Sequence, residues 1–229
     1  EELMEALKKQ ERTELKLPKI RSRKMDREEL YRRGCPGVVQ VGSFYFCGNK
    51  GCKKWHANIS GGFVLRKDGI IVSNYHVLEV KDGTKAMGIM TYDGRVFPVT
   101  KILAADEHND IAVFQVDAND LAALGLAEES RVGQTIFGIT HPVGRFYTFT
   151  EGMVSGKFAR RSKKGMLREL TITADFAKGS SGSPILDDYG RVVGMVRSTS
   201  SVYYEEDNGE QKNLQMVWKQ CVPVEEIRA

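Results

Sequence analysis

No run of apolar residues in this chain approaches the roughly 18 that a membrane-spanning helix requires, so no bilayer span is read and a soluble protein is expected. An excess of one charge is missing too: 34 Lys and Arg stand against 30 Asp and Glu, a net charge of +4. Most of that excess falls in residues 1–34, which leaves the remainder nearly neutral. Phosphate affinity depends on clustered cations, so a nucleic-acid partner is not expected. Cysteine is scarce: Cys35, Cys47, Cys52 and Cys221 allow three complete pairings, and sequence alone does not choose among them. A local Cys47–Cys52 bridge across a short loop is the preferred expectation, with Cys35 and Cys221 paired or free. A zinc site built from Cys35, Cys47, Cys52 and His56 is the competing reading; its irregular spacing speaks against it, and no metal or cofactor is expected. Disulfides, if formed, imply an oxidising compartment, so a periplasmic or secreted protein is expected, with a cytoplasmic one left open.

The 229 residues, 41% hydrophobic and 28% charged, suffice for one large globular domain. Two parts are expected, a charged extension over 1–34 and a folded domain over 35–229. More than half of the extension is charged, and Pro18 interrupts it. Two short helices are predicted there. Leu3, Met4 and Leu7 share a face of the first, and Asp26 with Glu29 has capping-box spacing ahead of Leu30. A loosely docked solvated arm is one reading of this extension, an oligomerisation or docking arm the other.

Beyond it the chain reads as short strands separated by turns: Val38 to Phe46, Asn58 to Leu65, Ile70 to Asn74, Thr84 to Thr91, Arg95 to Leu103 and Ile111 to Val116. Thr135 to Ile139, Thr148 to Ser155, Leu167 to Thr173, Val192 to Thr199, Val202 to Glu205 and Gln215 to Val222 follow. Asp93-Gly94 and Asn208-Gly209 are hairpin signals, because those pairs accept a positive φ. Asp120 to Leu126 is expected to form a helical turn. The fold class is all-β, two packed barrels with a crevice between them.

Three stretches carry chemistry. In Lys178-Gly179-Ser180-Ser181-Gly182-Ser183-Pro184 a serine sits on a glycine-bounded turn, which can aim the Ser181 hydroxyl into a cleft while the N–H groups of Gly179 and Ser181 converge as an oxyanion hole. A serine hydroxyl needs a neutral imidazole to take its proton, and the imidazole needs a carboxylate to fix its tautomer. His76, at the end of the apolar run from Gly69, and Asp110, opening Asn109-Asp110-Ile111-Ala112-Val113, fit those roles. Asp106 lacks that following apolar strand and ranks below Asp110 as the acid. His56, His108 and His141 are read as turn or surface histidines, and Lys157 to Lys164 as a solvated hairpin.

With these motifs the chain resembles the trypsin-like peptidases of the chymotrypsin fold, and within them the HtrA type. Ser60-Gly61-Gly62-Phe63-Val64, Ser73-Asn74-Tyr75-His76-Val77, the Asp110 stretch, Gly138 to Gly144, Thr150 to Gly156 and Gly190 to Val196 follow the family's order. The resemblance implies two six-stranded barrels and a serine endopeptidase acting on proteins or peptides through an acyl-enzyme; HtrA-type chains normally continue into PDZ domains, and the short stretch after Cys221 is expected to hold none. HtrA-type chains usually read Gly-Asn-Ser-Gly-Gly-Pro, whereas Ser180 and Ser183 here are closer to glutamyl endopeptidases and exfoliative toxins. By the same resemblance Asp175 lies at the base of the primary specificity pocket and Arg197, Ser198 and Thr199 form its wall. An unpaired Asp175 would favour Lys or Arg; an Arg197–Asp175 pair and a narrowing Thr199 would favour small apolar side chains. Both stay open. A catalytically weak binding or scaffold protein on the same fold is the alternative function.

Overall fold

The computed structural model describes residues 2–9, 13–17, 23–47, 51, 54–79, 84–207 and 210–229. Two closed six-stranded antiparallel barrels stand in chain order. The first is built from β1 (Val38–Phe46), β2 (Trp55–Arg66), β3 (Ile70–Ser73), β4 (Thr84–Met90), β5 (Val96–Asp106) and β6 (Ile111–Val116). Its ring order is β1-β2-β3-β6-β5-β4. The second uses β7 (Thr135–Thr140), β8 (Thr148–Ser162), β9 (Gly165–Ile172), β10 (Pro184–Leu186), β11 (Val192–Asp207) and β12 (Glu210–Pro223), in the order β10-β11-β12-β9-β8-β7.

β-branched and aromatic residues dominate the strands that line the cores, where such side chains pack on a pleated surface. All four residues of β3 are buried, as are Phe63 and Phe114 on its neighbours. Strands β1 and β6 have the expected bounds. The short β10 was not among the expected strands. In place of two strands after Val192, one continuous β11 pairs with β12 from Gly194↔Pro223 to Asp207↔Glu210. The predicted Asn208-Gly209 turn lies outside the described residues. Gly94, with φ 84, makes the turn between β4 and β5.

Residues 120–126 form no helix. Their backbone groups are taken by the barrels instead: Leu121 donates to the Lys67 carbonyl at 3.0 Å and Leu124 to Val64 at 2.9 Å. Leu126 then bridges Val192 in parallel. These cross-links outcompete a single helical turn, which gains little on its own. They also stitch the two barrels together.

The charged extension packs on its own domain. Helix α1 (Glu2–Lys9) lies against β5, and its Leu7 is fully buried in the first-barrel core with Leu3 and Met4 packed beside it. Burying one leucine stabilises by about 1.5–3 kcal/mol. Helix α2 (Arg27–Gly34) starts at Asp26, whose carboxylate accepts the Glu29 N–H at 2.8 Å. The Glu29 side chain does not return to the cap; it pairs with Arg23 and Arg33. Leu30 of α2 shares a core cluster with Val38, Ile139 and Leu186. Among the described residues no helix is long and apolar enough to cross a membrane.

Cys35 and Cys221 are free, buried thiols, and burial pushes the Cys35 thiol up to about 11. The Cys47–Cys52 pairing and the zinc alternative both involve Cys52, which lies outside the described residues.

Candidate active site

His76 and Asp110 come from opposite ends of neighbouring first-barrel strands. Strand β3 ends at Ser73 and turns into the four-residue helix α3 (Tyr75–Leu78), which carries His76. Asp110 sits in the turn from β5 to β6 with φ 61, a left-handed conformation that a short polar side chain tolerates best. Asn74 holds that turn by donating from its amide to the Asp110 carbonyl oxygen at 3.0 Å. The Asp110 carboxylate then meets both the backbone and the ring of His76. Its Oδ1 accepts the His76 backbone N–H at 3.0 Å, and Oδ2 lies 2.8 Å from Nδ1. The Asp110 side chain is only 10% exposed, whereas the His76 ring is 46% exposed, so the imidazole is anchored on its buried side and open on the other. That contact fixes the proton on Nδ1 and leaves Nε2 as an acceptor.

Asp106 does other work. Its two oxygens accept the backbone N–H and side-chain amide of Asn109, both at 2.9 Å, and close the turn ahead of Asp110.

The serine turn belongs to the second barrel but is pinned to the first. Gly61 of β2 donates its N–H to the Ser181 carbonyl at 2.7 Å, and Ser73 donates its hydroxyl to the Gly61 carbonyl at 2.7 Å. This approach is so close that a Cβ at Gly182, where φ is 82, would fall 2.2 Å from the Gly61 carbonyl oxygen. Ser180 and Ser183 are fully buried, while Ser181 between them is half-buried. Its hydroxyl donates to the Arg197 carbonyl at 3.3 Å.

Val143, itself at φ 45, donates its N–H to the Lys178 carbonyl at 2.7 Å. In a trans peptide the N–H points opposite to the C=O. Pulling the Lys178 carbonyl toward Val143 therefore turns the Gly179 N–H the other way. Among the described residues neither the Gly179 nor the Ser181 N–H donates to a backbone carbonyl outside the regular elements. Gly61 and Val143 were not picked out for these roles from sequence; the paired Gly61-Gly62 ahead of the histidine is the signal that was there to read.

His141 is not a surface residue. It is fully buried below the Gly179 turn, accepts the Tyr147 N–H on Nδ1 at 3.1 Å and lies 3.3 Å from the Val39 carbonyl through Nε2. Burial pushes it down to about 4, against the pull of its backbone contacts. His108 does lie at a turn, 3.1 Å from the Met166 carbonyl. The basic hairpin is largely paired within the chain, Lys157 with Glu225, Arg160 with Glu169 and Lys164 with Glu107.

The pocket residues divide differently from expectation. The Asp175 side chain is 85% exposed and pairs with Lys219 at 3.2 Å. Lys219 is 17% exposed, donates to the Phe176 carbonyl at 2.9 Å, and stands directly opposite Thr199 in the β11–β12 register. Asp175 and Thr199 are thus brought together by a lysine that the motifs did not mark. Arg197 does not pair with Asp175. The β11–β12 register shifts between Val196 and Ser198, and the Arg197 guanidinium reaches Asp110 and Glu169 instead.

Two antiparallel barrels with a histidine–carboxylate pair on one and a glycine-bounded serine turn on the other define a chymotrypsin-type peptidase architecture. The chain belongs to the trypsin-like peptidase domain family, whose model matches residues 60–195. It is 33% identical over 153 residues to Protease Do-like 5, chloroplastic, of Arabidopsis thaliana, covering 60% of this chain and 47% of that protein. It is also 33% identical over 136 residues to the protein named Probable periplasmic serine endoprotease DegP-like of Hahella chejuensis, covering 58% of this chain and 28% of the relative. Protease Do-like 1, chloroplastic, of Arabidopsis thaliana is 34% identical over 142 residues, 58% of this chain and 31% of its own. These matches span less than half the length of each relative, and the names agree with the HtrA-type resemblance carried by the motifs.

Proposed function

We propose that the chain is a serine endopeptidase that cleaves protein or peptide substrates through an acyl-enzyme. Ser181 attacks the carbonyl carbon, His76 takes the hydroxyl proton on Nε2 and returns it to the leaving amine, Asp110 orients His76, and the N–H groups of Gly179 and Ser181 hold the oxyanion. The observation that carries this reading is the His76 Nδ1 contact with the buried Asp110 carboxylate at 2.8 Å. In the state described, the Ser181 hydroxyl rests on the Arg197 carbonyl. Attack requires it to turn toward His76 Nε2.

For specificity, Asp175 is answered by Lys219 and well exposed, so a basic side chain entering beside it gains little. Thr199 narrows the same wall. Small apolar residues are therefore the favoured residues before the scissile bond. A periplasmic location is the reading that fits the DegP-like relative's name, and the free Cys35 and Cys221 lend it no support.

A fluorophosphonate probe tests the nucleophile. Mass spectrometry of the labelled chain should place one adduct on Ser181 and none on the buried Ser180 or Ser183, and the Ser181→Ala chain should take up no probe. An adduct on another serine, or none in the parent chain, overturns the assignment.

A further inference from the structure

Arg197 touches both ends of the proposed charge system without being one of its members. Its carbonyl accepts the Ser181 hydroxyl at 3.3 Å. Its guanidinium lies between two buried carboxylates, with Nε 3.6 Å from Asp110 Oδ2 and Nη1 3.5 Å from Glu169 Oε1. The Arg197 side chain is 18% exposed and Glu169 9%. Both contacts are longer than a hydrogen bond, and Nη1 is buried without a hydrogen-bond partner among the described residues. The guanidinium therefore acts on each carboxylate through its charge and is committed to neither.

The charges around it complete the picture. Glu169 of β9 also faces Arg160 of β8 at 3.2 Å, so four charges alternate: Asp110, Arg197, Glu169, Arg160. Asp110 in turn faces His76 from α3. The other charged groups of the turn before Asp110 are occupied elsewhere, Asp106 by Asn109 and Glu107 by Lys164.

Resting on the proposed triad, we infer that Arg197 is a positioning residue for Asp110, a charge that balances the triad acid and so sets how readily His76 holds a proton. A lone buried carboxylate beside the imidazole strongly favours the imidazolium. A cation on the far side of that carboxylate offsets part of this pull. An arginine suits this position because its planar fork stays charged and reaches two acids at once.

The test measures the rate of Ser181 labelling by a fluorophosphonate as a function of pH, a readout that needs no known substrate. At an effective dielectric of about 20, removing a unit charge that lies just across one carboxylate from a titrating group moves its titration by roughly one to two pH units. In Arg197→Ala the acid limb of the labelling profile should move to higher pH by about that amount. Arg197→Lys keeps the charge and should leave the limb within about 0.3 of a unit. Glu169→Gln releases the guanidinium toward Asp110 and should move the limb to lower pH. Should Arg197→Ala fail to fold because Glu169 is left without its partner, Arg197→Gln with Glu169→Gln removes both charges; the nearer Arg197 dominates, and a smaller upward shift is expected. An Arg197→Ala or Arg197→Gln chain that labels at Ser181 with a profile superimposable on the parent overturns the inference and leaves the triad standing. A parent chain that does not label at Ser181 overturns the triad itself, and this inference with it.

Discussion

The two barrels share a strand count and a closure but use their length differently. In the first, β3 and β6 lie almost wholly in the core, and the two side chains proposed as base and acid sit where strands end: His76 just past β3, Asp110 just before β6. In the second, β8 and β9 run out to Ser162 and Gly165, and β11 and β12 to Asp207 and Glu210, well past the barrel wall. Phe158, Tyr204, Leu214 and Met216 on these ribbons are exposed. The compact barrel carries the proposed base and acid, whereas the extended one carries the serine turn and the charges of Arg197 and Glu169 that face Asp110.

The largest effect on stability that sharpens this comparison comes from His141, whose ring joins the seam by spanning from Tyr147, in the turn before β8, to Val39 in the first barrel. Its folded value of about 4 lies below the ordinary 6.5, so the unfolded chain binds the proton more tightly. Stability from this group is therefore complete above pH 6.5 and is lost as the pH falls toward 4. Urea unfolding should lose about 2–3 kcal/mol from this group between pH 7 and 4.5. His141→Gln should remove that part of the slope, and equal slopes in the two chains would show that His141 is not buried as a neutral ring.

A smaller effect probes the extended barrel alone. Lys219→Ala leaves Asp175 without its cation beside Thr199. A peptide library should then show cleavage after Lys or Arg rising by about two- to fivefold relative to small apolar residues, the range of an exposed ion pair worth about 0.5–1 kcal/mol. An unchanged profile would place Asp175 and Lys219 outside the pocket.

The same contrast explains what could be read from sequence. The first barrel was nearly transparent: β1 and β6 match their expected bounds, and His76 and Asp110 stand in the contact that their motifs imply. Strand alternation and burial, both local properties, set those features. The Asp26 cap was legible for the same reason. Lys219 and the destination of Arg197 were not, because both depend on the register of a long hairpin that shifts between Val196 and Ser198 and again between Val202 and Tyr203. A one-residue shift sends a side chain to the other face, and no residue type announces it. Residues 120–126 misled because an apolar run between barrels has helical spacing but spends its backbone groups on Lys67 and Val64. The shared face of Leu3, Met4 and Leu7 was legible, but not the β5 surface that buries it.

The central claim is that an acid and a base of the first barrel act on a serine of the second. Its most direct measurement compares Asp110→Asn with Asp106→Asn under the same fluorophosphonate and peptide assays, with folding checked by thermal melting. Asp110→Asn should fold and lose about four powers of ten in turnover, because His76 is left in the wrong tautomer. Asp106→Asn should stay within about tenfold of the parent, since its carboxylate serves only the Asn109 turn. A folded Asp110→Asn chain with near-parental turnover, or a ranking of the two variants in the opposite order, would contradict the account.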